Sequence, residues 1–339
     1  EANMKGKKMI SLALALALAL GMSGCGGGGS SSGSGGSSSS GGPDGPADSG
    51  AGSGERPAGV TVTDMKGREI TLEGPAQRVV ALTASDCEIL YAIGAGDALV
   101  GRGKYCDYPA QVLDVPAVES GATTNMEEII ALDPDVLLMS DMAQTDEQIA
   151  QMEAAGIHVV VSEATDIQGV YTAVEMIGAL MGREDNAVQV IQNMKDTFDQ
   201  IREQSAGNGS QTIYFEVSPL QYGLWAAGSN TFMDEIAGMM GLTNCFADVD
   251  GWGEISEEQV IQRNPDIIVT VTMYFGEGPS PEEEILSRTG WEDVTAVKNS
   301  AILNLRDNEL SRPAPRLAEG AQMLFDFVYG VESYTALKK

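Results

Sequence analysis

Glu184-Asp185-Asn186-Ala187-Val188-Gln189-Val190-Ile191-Gln192-Asn193-Met194-Lys195-Asp196-Thr197-Phe198-Asp199-Gln200-Ile201-Arg202-Glu203-Gln204 contains neither glycine nor proline. Its apolar residues Ala187, Ile191, Met194, Phe198 and Ile201 advance by four and three, the spacing that lines one face of an α-helix. At about 1.5 Å per residue the stretch predicts a helix roughly 30 Å long. Gly207-Asn208-Gly209 ends it. A helix of that length in mid-chain divides the sequence into an upstream and a downstream half, and both halves carry the same kind of pattern.

Upstream, Val60-Thr61-Val62-Thr63-Asp64 and Glu69-Ile70-Thr71-Leu72 flank Lys66-Gly67-Arg68, which predicts a β-hairpin. Residues 78–82 read as a buried strand. Ser85 and Glu88, three apart ahead of Ile89, Leu90 and Ile93, read as a capping box that opens a helix. Short apolar strands follow over 135–139 and 159–162, separated by a polar helical stretch over 145–155. Downstream, strands are expected over 212–217, 222–226, 266–271 and 301–305, with helices between them and a final helix over 313–329. Strands buried on both faces and alternating with helices build parallel sheets. Two α/β units joined by one long helix make a bilobed protein, and the cleft between lobes is a preferred ligand site.

The first residues read as a targeting segment. Lys5, Lys7 and Lys8 precede an apolar Leu/Ala run from Leu12 to Leu20, too short to span a bilayer as a mature helix. Met22-Ser23-Gly24-Cys25 comes next, a spacing that resembles a bacterial lipobox, in which the cysteine is lipidated and becomes the first mature residue. From Cys25 to about Pro57 the chain is dominated by Gly and Ser, a composition that cannot bury a core and reads as a flexible tether with a reach of about 30 Å. The expected organisation is a lipoprotein signal peptide over 1–24, a tether over 25–57, an N-terminal α/β lobe over 58–183, the interlobe helix over 184–206 and a C-terminal α/β lobe over 207–339.

With 20 Lys+Arg against 49 Asp+Glu, the net charge of -29 opposes binding to nucleic acid or direct adhesion to an anionic membrane. Besides Cys25, only Cys87, Cys106 and Cys245 remain, with no zinc-site spacing; they fit one disulfide plus a free thiol, or three packed thiols. Gly94, Gly96, Gly101 and Gly103 follow a helix and precede a short strand, the reverse of a dinucleotide fingerprint, and read as a helix cap and a turn. His158 is the only histidine and opens a buried strand, which leaves no histidine for a nucleophile pair elsewhere or for an imidazole-built metal site. A metal, if carried, arrives already chelated.

Two loops gather unusual side chains. Lys104-Tyr105-Cys106-Asp107-Tyr108-Pro109 places two phenols after a short strand, where α/β sheets present ligands. Ser311-Arg312-Pro313-Ala314-Pro315-Arg316 places two guanidinium groups at the start of the last helix, with the prolines expected in its first turn. Forked donors of this kind suit carboxylates and other anionic oxygens, although in so acidic a chain they also suit its own acids. Tyr222, Trp225, Trp252 and Tyr274 fall at strand ends or loops in the second half and offer flat surface to a macrocycle.

In this order, these segments resemble the periplasmic-binding family that serves importers of cobalamin, haem and ferric siderophores. The carriers are Gln77-Arg78-Val79-Val80-Ala81-Leu82 leading to Glu88-Ile89-Leu90-Tyr91-Ala92-Ile93-Gly94-Ala95; Asn125-Met126-Glu127 before Leu132-Asp133-Pro134-Asp135; Gly156-Ile157; Ser256 to Val260 before Asn264-Pro265-Asp266; and Arg-Pro-x-Pro-Arg. The resemblance implies two Rossmann-like lobes with mainly parallel sheets, joined by one long rigid helix, and modest closure around ligand. It implies a monomeric binding protein, not an enzyme, that delivers its cargo to the transmembrane subunits of an ABC importer. One exposed glutamate per lobe, Glu127 and Glu258, would dock on importer arginines; both are also ordinary first-turn acids. The cargo implied is a bulky metal chelate, a corrinoid or haem ahead of a ferric siderophore, with no resident cofactor. Tyr105, Asp107, Tyr108, Tyr222, Trp225, Trp252, Tyr274, Arg312 and Arg316 are the expected ligand contacts.

From other classes, a secreted hydrolase using two carboxylates needs a matched pair at a set separation, which acid abundance does not supply. A surface adhesin predicts repeats, and no internal repeat at a fixed period is visible.

Overall fold

The structure, a computed structural model, describes residues 59–121, 124–140, 145–207, 209–272, 278–305 and 308–330. Strands β1 (Val60–Thr63) and β2 (Glu69–Leu72) pair antiparallel as the expected hairpin. Next come β3 (Val79–Ala81), α1 (Ala84–Ala92), β4 (Leu99–Gly103), β5 (Ala117–Val118), α2 (Met126–Ala131), β6 (Val136–Met139), α3 (Asp146–Ala154), β7 (His158–Val161) and α4 (Ile167–Leu180). The five later strands of this half form one parallel sheet in the order β5-β4-β3-β6-β7. All side chains of β3 and β6 are buried, which is why their sequences read as unbroken apolar runs.

Helix α5 (Glu184–Ser205) comes next, and all five residues of its apolar stripe are buried. It packs on α4 of the first half and on α6 and α10 of the second. The second half comprises β8 (Thr212–Ser218), β9 (Trp225–Ala227), α6 (Phe232–Met239), β10 (Thr243–Asn244), β11 (Trp252–Glu254), α7 (Glu257–Arg263), β12 (Ile267–Thr270), α8 (Pro281–Leu286), α9 (Thr295–Lys298), β13 (Ile302–Asn304) and α10 (Leu317–Tyr329). Its sheet runs β11-β9-β8-β12-β13, with β10 also on β8; β8, β12 and β13 are parallel, whereas β9 and β11 are antiparallel additions.

A single apolar cluster passes from Val62 and Ile89 through Ile191 and Phe198 to Phe215 and Phe325. Helix α5 is therefore set into a core that both halves share. Two hydrogen bonds reinforce the join: the Phe232 amide donates to the Thr165 carbonyl at 2.9 Å, and the Ile167 amide to Glu235 Oε2 at 3.0 Å.

The two lobes repeat one construction. Helix α2 is capped by Asn125 and α7 by Ser256; each is followed by a left-handed residue, Asp133 (φ 48°) or Asn264 (φ 46°), then Pro134 or Pro265, then an aspartate. Asp135 accepts from the Gln77 and Arg78 amides at 2.8 and 2.9 Å and ties β6 to the start of β3. Asp266 accepts from the Thr212 amide at 2.8 Å and ties β12 to the start of β8. The repeat is one of geometry rather than of fixed short period.

Four local expectations are corrected. The cap of α1 is Thr83, whose side chain accepts from the Asp86 amide, so Ser85 and Glu88 form no capping box. Gly101 and Gly103 lie inside β4, where a Cβ on Gly103 would sit 2.1 Å from the Leu82 oxygen. Tyr222 closes a short 3-10 turn, and the strand begins at Trp225. The last helix starts at Leu317; Pro313 and Pro315 shape the turn ahead of it.

Candidate functional site

The chain's course through each sheet decides where side chains converge. In the first sheet β3 leads to β4 on one side and β6 to β7 on the other; in the second, β8 leads to β9 and β12 to β13 in opposite directions. Crevices form at the carboxyl ends of strands where the direction reverses. The loop after β4 carries Tyr105, Asp107 and Tyr108, and the segment after β13 carries Arg312 and Arg316. These loops leave the carboxyl ends of their sheets and meet.

Their meeting is a charged clasp across the lobe boundary. Arg316 grips Glu88 of α1 in a fork, Nε to Oε2 at 2.9 Å and Nη2 to Oε1 at 2.7 Å. Arg312 reaches the same carboxylate, Nη1 to Oε1 at 3.1 Å, and also Asp107 Oδ1 at 2.6 Å and the Tyr105 carbonyl at 3.2 Å. The Arg316 guanidinium lies over the Tyr108 ring, 3.7 Å from its centre. Glu88 and Arg316 are 3% and 6% exposed, so solvent screens this pair little. Burial works against both guanidinium charges. The facing carboxylates, Asp107 then Glu88 for Arg312 and Glu88 for Arg316, override it and hold both groups above the usual arginine range.

Beside the clasp opens a cavity of about 440 Å³, lined from the first lobe by Glu88, Tyr91, Tyr108 and Pro109, from α5 by Asn193, Met194 and Thr197, and from the second lobe by Pro315, Arg316 and Glu319. Its volume is in the range of small-molecule sites, and its lining mixes aromatic and aliphatic faces with a few polar groups.

Of the expected contacts, the structure gathers Tyr105, Asp107, Tyr108, Arg312 and Arg316 at the clasp, but only Tyr108 and Arg316 line the cavity. Tyr105 is the most exposed of these, at 66%. Tyr222 and Trp225 stand exposed on the second lobe, and neither lines the cavity. Trp252 is half-buried, its ring 5.7 Å from that of Phe232, and also lies off the cavity. Tyr274 and Cys25 lie outside the described residues. Glu127 and Glu258 are both exposed in the first turns of α2 and α7. The Glu258 carboxyl is held below its usual range by its own backbone N–H and the Ser256 hydroxyl.

Sequence reasoning missed Glu88 as a site residue. The available signal was a carboxylate between Cys87 and Ile89-Leu90 in an otherwise buried run, a placement acids avoid unless paired. A second buried pair also went unread: Arg288 binds Glu216 at 2.7 and 2.9 Å, with both side chains 1% exposed, and stacks on Trp291. Burial raises the Glu216 carboxyl despite the opposing pull of Arg288. Among the described residues no group of three or more His, Cys, Asp or Glu could hold a metal ion.

Two α/β lobes on one core-embedded helix, meeting at a mainly apolar cavity edged by Glu88 and Arg316, define a helix-bridged binding protein. The periplasmic binding protein family profile matches residues 79–309, and the chain belongs to that family. It is 32% identical over 276 residues, 80% of this chain and 85% of the relative, to an uncharacterized ABC transporter substrate-binding lipoprotein, YvrC, of Bacillus subtilis. Over 255 residues, 75% of this chain and 90% of the relative, it is 24% identical to a vitamin B12-binding protein of Vibrio cholerae. A crystal structure of a possible iron-binding (periplasmic solute-binding) protein from Staphylococcus epidermidis superposes with a TM-score of 0.64 and 31% identity, covering 75% of this chain and 99% of that one. Such proteins bind a solute outside the cytoplasm and hand it to an ABC permease; they are not enzymes. No helix among the described residues is long and apolar enough to cross a membrane.

Proposed function

We propose that this chain captures a bulky metal chelate, a corrinoid first, in the cleft beside the Glu88–Arg316 clasp and delivers it to the transmembrane subunits of an ABC importer. The observation that carries the reading is the interlobe cavity itself, walled by Tyr91, Tyr108 and Met194 and edged by Glu88, Asn193 and Arg316. The forked donors of Arg316 are already taken by Glu88. A ligand bearing carboxylates, such as haem, would meet the like charge of Glu88 beside that fork. A chelate rimmed with neutral amides can instead bond to Glu88, Asn193 and Thr197 and leave the clasp paired. This favours a corrinoid over haem, in line with the vitamin B12-binding relative. A ferric siderophore is the second reading, favoured by the iron-binding description of the Staphylococcus epidermidis protein.

Cys25 is proposed as the lipid anchor, with 25–57 as tether; a Cys25→Ser chain should then leave the membrane fraction, and firm retention contradicts the anchor. The cargo is tested by titrating the protein with cobalamin, cobinamide, haemin and ferric siderophores, reading tryptophan fluorescence and thermal midpoint. Binding of one class raises the midpoint with its concentration. A response to siderophores alone selects the second reading, and silence towards all four ligand types rejects the chelate.

A further inference from the structure

The ligand reading leaves two thiols of the first lobe without a role. Cys87 belongs to α1 and Cys106 to the loop after β4; both are buried, at 0% and 1% exposure. Their sulfurs converge on one point, since Sγ of Cys87 is 3.8 Å and Sγ of Cys106 4.0 Å from the Ala81 carbonyl oxygen. Cys245 packs in a separate apolar cluster of the second lobe.

Sequence ties this pair to the clasp. Cys87 immediately precedes Glu88, and Cys106 immediately precedes Asp107, the two carboxylates that Arg312 holds together. We propose that Cys87 and Cys106 are a covalent modification site, a dithiol that closes into an intramolecular disulfide and fastens the 104–109 loop to α1. Joined, the two elements keep Glu88 and Asp107 at the spacing that Arg312 spans, so the oxidation state sets how firmly the first lobe presents its half of the clasp.

The oxidant is a disulfide, either a small molecule or a thiol oxidoreductase. One thiolate of the pair attacks it and releases one thiol; the second thiolate attacks the mixed disulfide and releases the other. Two protons and two electrons leave the pair, and the oxidant's disulfide is reduced to two thiols. Access comes from the loop. Tyr105 and Tyr108 on either side of Cys106 are 66% and 41% exposed, so Cys106 is the buried anchor of a surface segment, and lifting that segment uncovers both sulfurs. Within the closed fold, hydrogen bonding to Cys106 and burial push the Cys87 thiol well up, which confines the exchange to the lifted or folding chain. The site rests on the clasp geometry and not on the identity of the cargo.

The test incubates the full chain with oxidised glutathione, blocks remaining thiols by alkylation, and weighs intact protein and proteolytic peptides. The expected result is one peptide pair joining Cys87 to Cys106, about 2 Da lighter than the two reduced peptides together. The oxidised protein should also melt several degrees higher than the reduced one. Recovery of both residues alkylated, glutathione adducts that persist on each, or a bond to Cys25 or Cys245 instead overturns the proposal. Cys245→Ser should still cross-link, and the wild-type mass measurement stands even where a Cys87→Ser chain fails to fold.

Discussion

Glu88 and Arg316, 228 residues apart in the chain, form a two-pronged ion pair of 2.7 and 2.9 Å across the lobe boundary. The bond is enclosed, and Arg312 shares the same carboxylate. Removing one partner of such a pair leaves a charge without compensation in a poorly hydrated place, whereas removing both removes the problem with the benefit. Glu88→Ala should therefore destabilise the protein by roughly 3 kcal/mol in urea unfolding, while Glu88→Leu with Arg316→Met should recover most of that loss. Equal losses in the single and double variants would contradict a coupled pair.

Asp86, one residue before the clasp's cysteine, gives the stability a pH dependence of its own. Burial pushes its carboxyl up to about 6, against the hydroxyls of Thr83 and Ser162, which pull it down. The unfolded chain releases that proton near pH 4 or so, and the folded chain near pH 6, so the folded state holds an extra proton in between. The group's contribution is full below the unfolded value and is lost as pH rises through the folded one, at most about 3 kcal/mol. Asp86→Asn titrates nowhere in this window. The variant should gain on the wild type between about pH 4 and 6 and hold a constant difference above about pH 7. A difference that stays flat across the window contradicts the buried proton.

Gly103 tests how the Tyr105–Tyr108 loop is aimed. A methyl group there would meet the Leu82 oxygen at 2.1 Å and its carbonyl carbon at 2.9 Å, both backbone atoms that cannot swing aside. Gly103→Ala should cost about 3 kcal/mol as β4 is pushed off β3. In contrast, a Cβ on Gly238 meets nothing within 4 Å in α6, and Gly238→Ala should stabilise by about 0.5–1 kcal/mol. Thermal unfolding of the two variants reads both signs.

The fold was legible where periodicity and burial coincide. The stripe Ala187, Ile191, Met194, Phe198 and Ile201 gave the bridging helix to within a residue because those side chains, and no polar ones between them, enter the core. Strands β3, β6, β8 and β12 were legible for the same reason. Local rules failed where a long-range partner decides. Ser85 and Glu88 have capping-box spacing, yet Glu88 is spent on Arg312 and Arg316, which no local pattern reveals. Gly101 and Gly103 resemble turn residues because the close approach of β3 that requires them is a tertiary contact. The two loops that meet at the clasp were legible for a simple reason: Arg312, Arg316, Tyr105, Asp107 and Tyr108 are dense in two short segments, although only Tyr108 and Arg316 of these reach the cavity. The cavity wall from α5 was not, since Asn193 and Thr197 look like ordinary solvent-facing helix residues until the lobes are placed around them.

Helices α2 and α7 are built alike, one in each lobe, and that likeness shapes the last prediction. Glu127 stands one residue into α2 and Glu258 one residue into α7, each exposed, and each is followed three positions later by an isoleucine, Ile130 or Ile261, exposed to 38% and 39%. Ser256 caps α7 through a reciprocal bond with Gln259, and Trp291 Nε1 donates to Glu257 at 2.9 Å, so Glu258 is the first-turn acid left facing outwards. We propose these two matched acid-plus-isoleucine pairs as the contacts with the permease. Glu127→Ala with Glu258→Ala should abolish uptake of the cargo in cells while leaving its binding to the purified protein unchanged, because neither residue lines the cavity. Ile130→Ala with Ile261→Ala should weaken uptake to a smaller degree, with binding again intact. Normal uptake in the glutamate double variant would rule out docking through these residues, and loss of binding would place the glutamates in the ligand site instead.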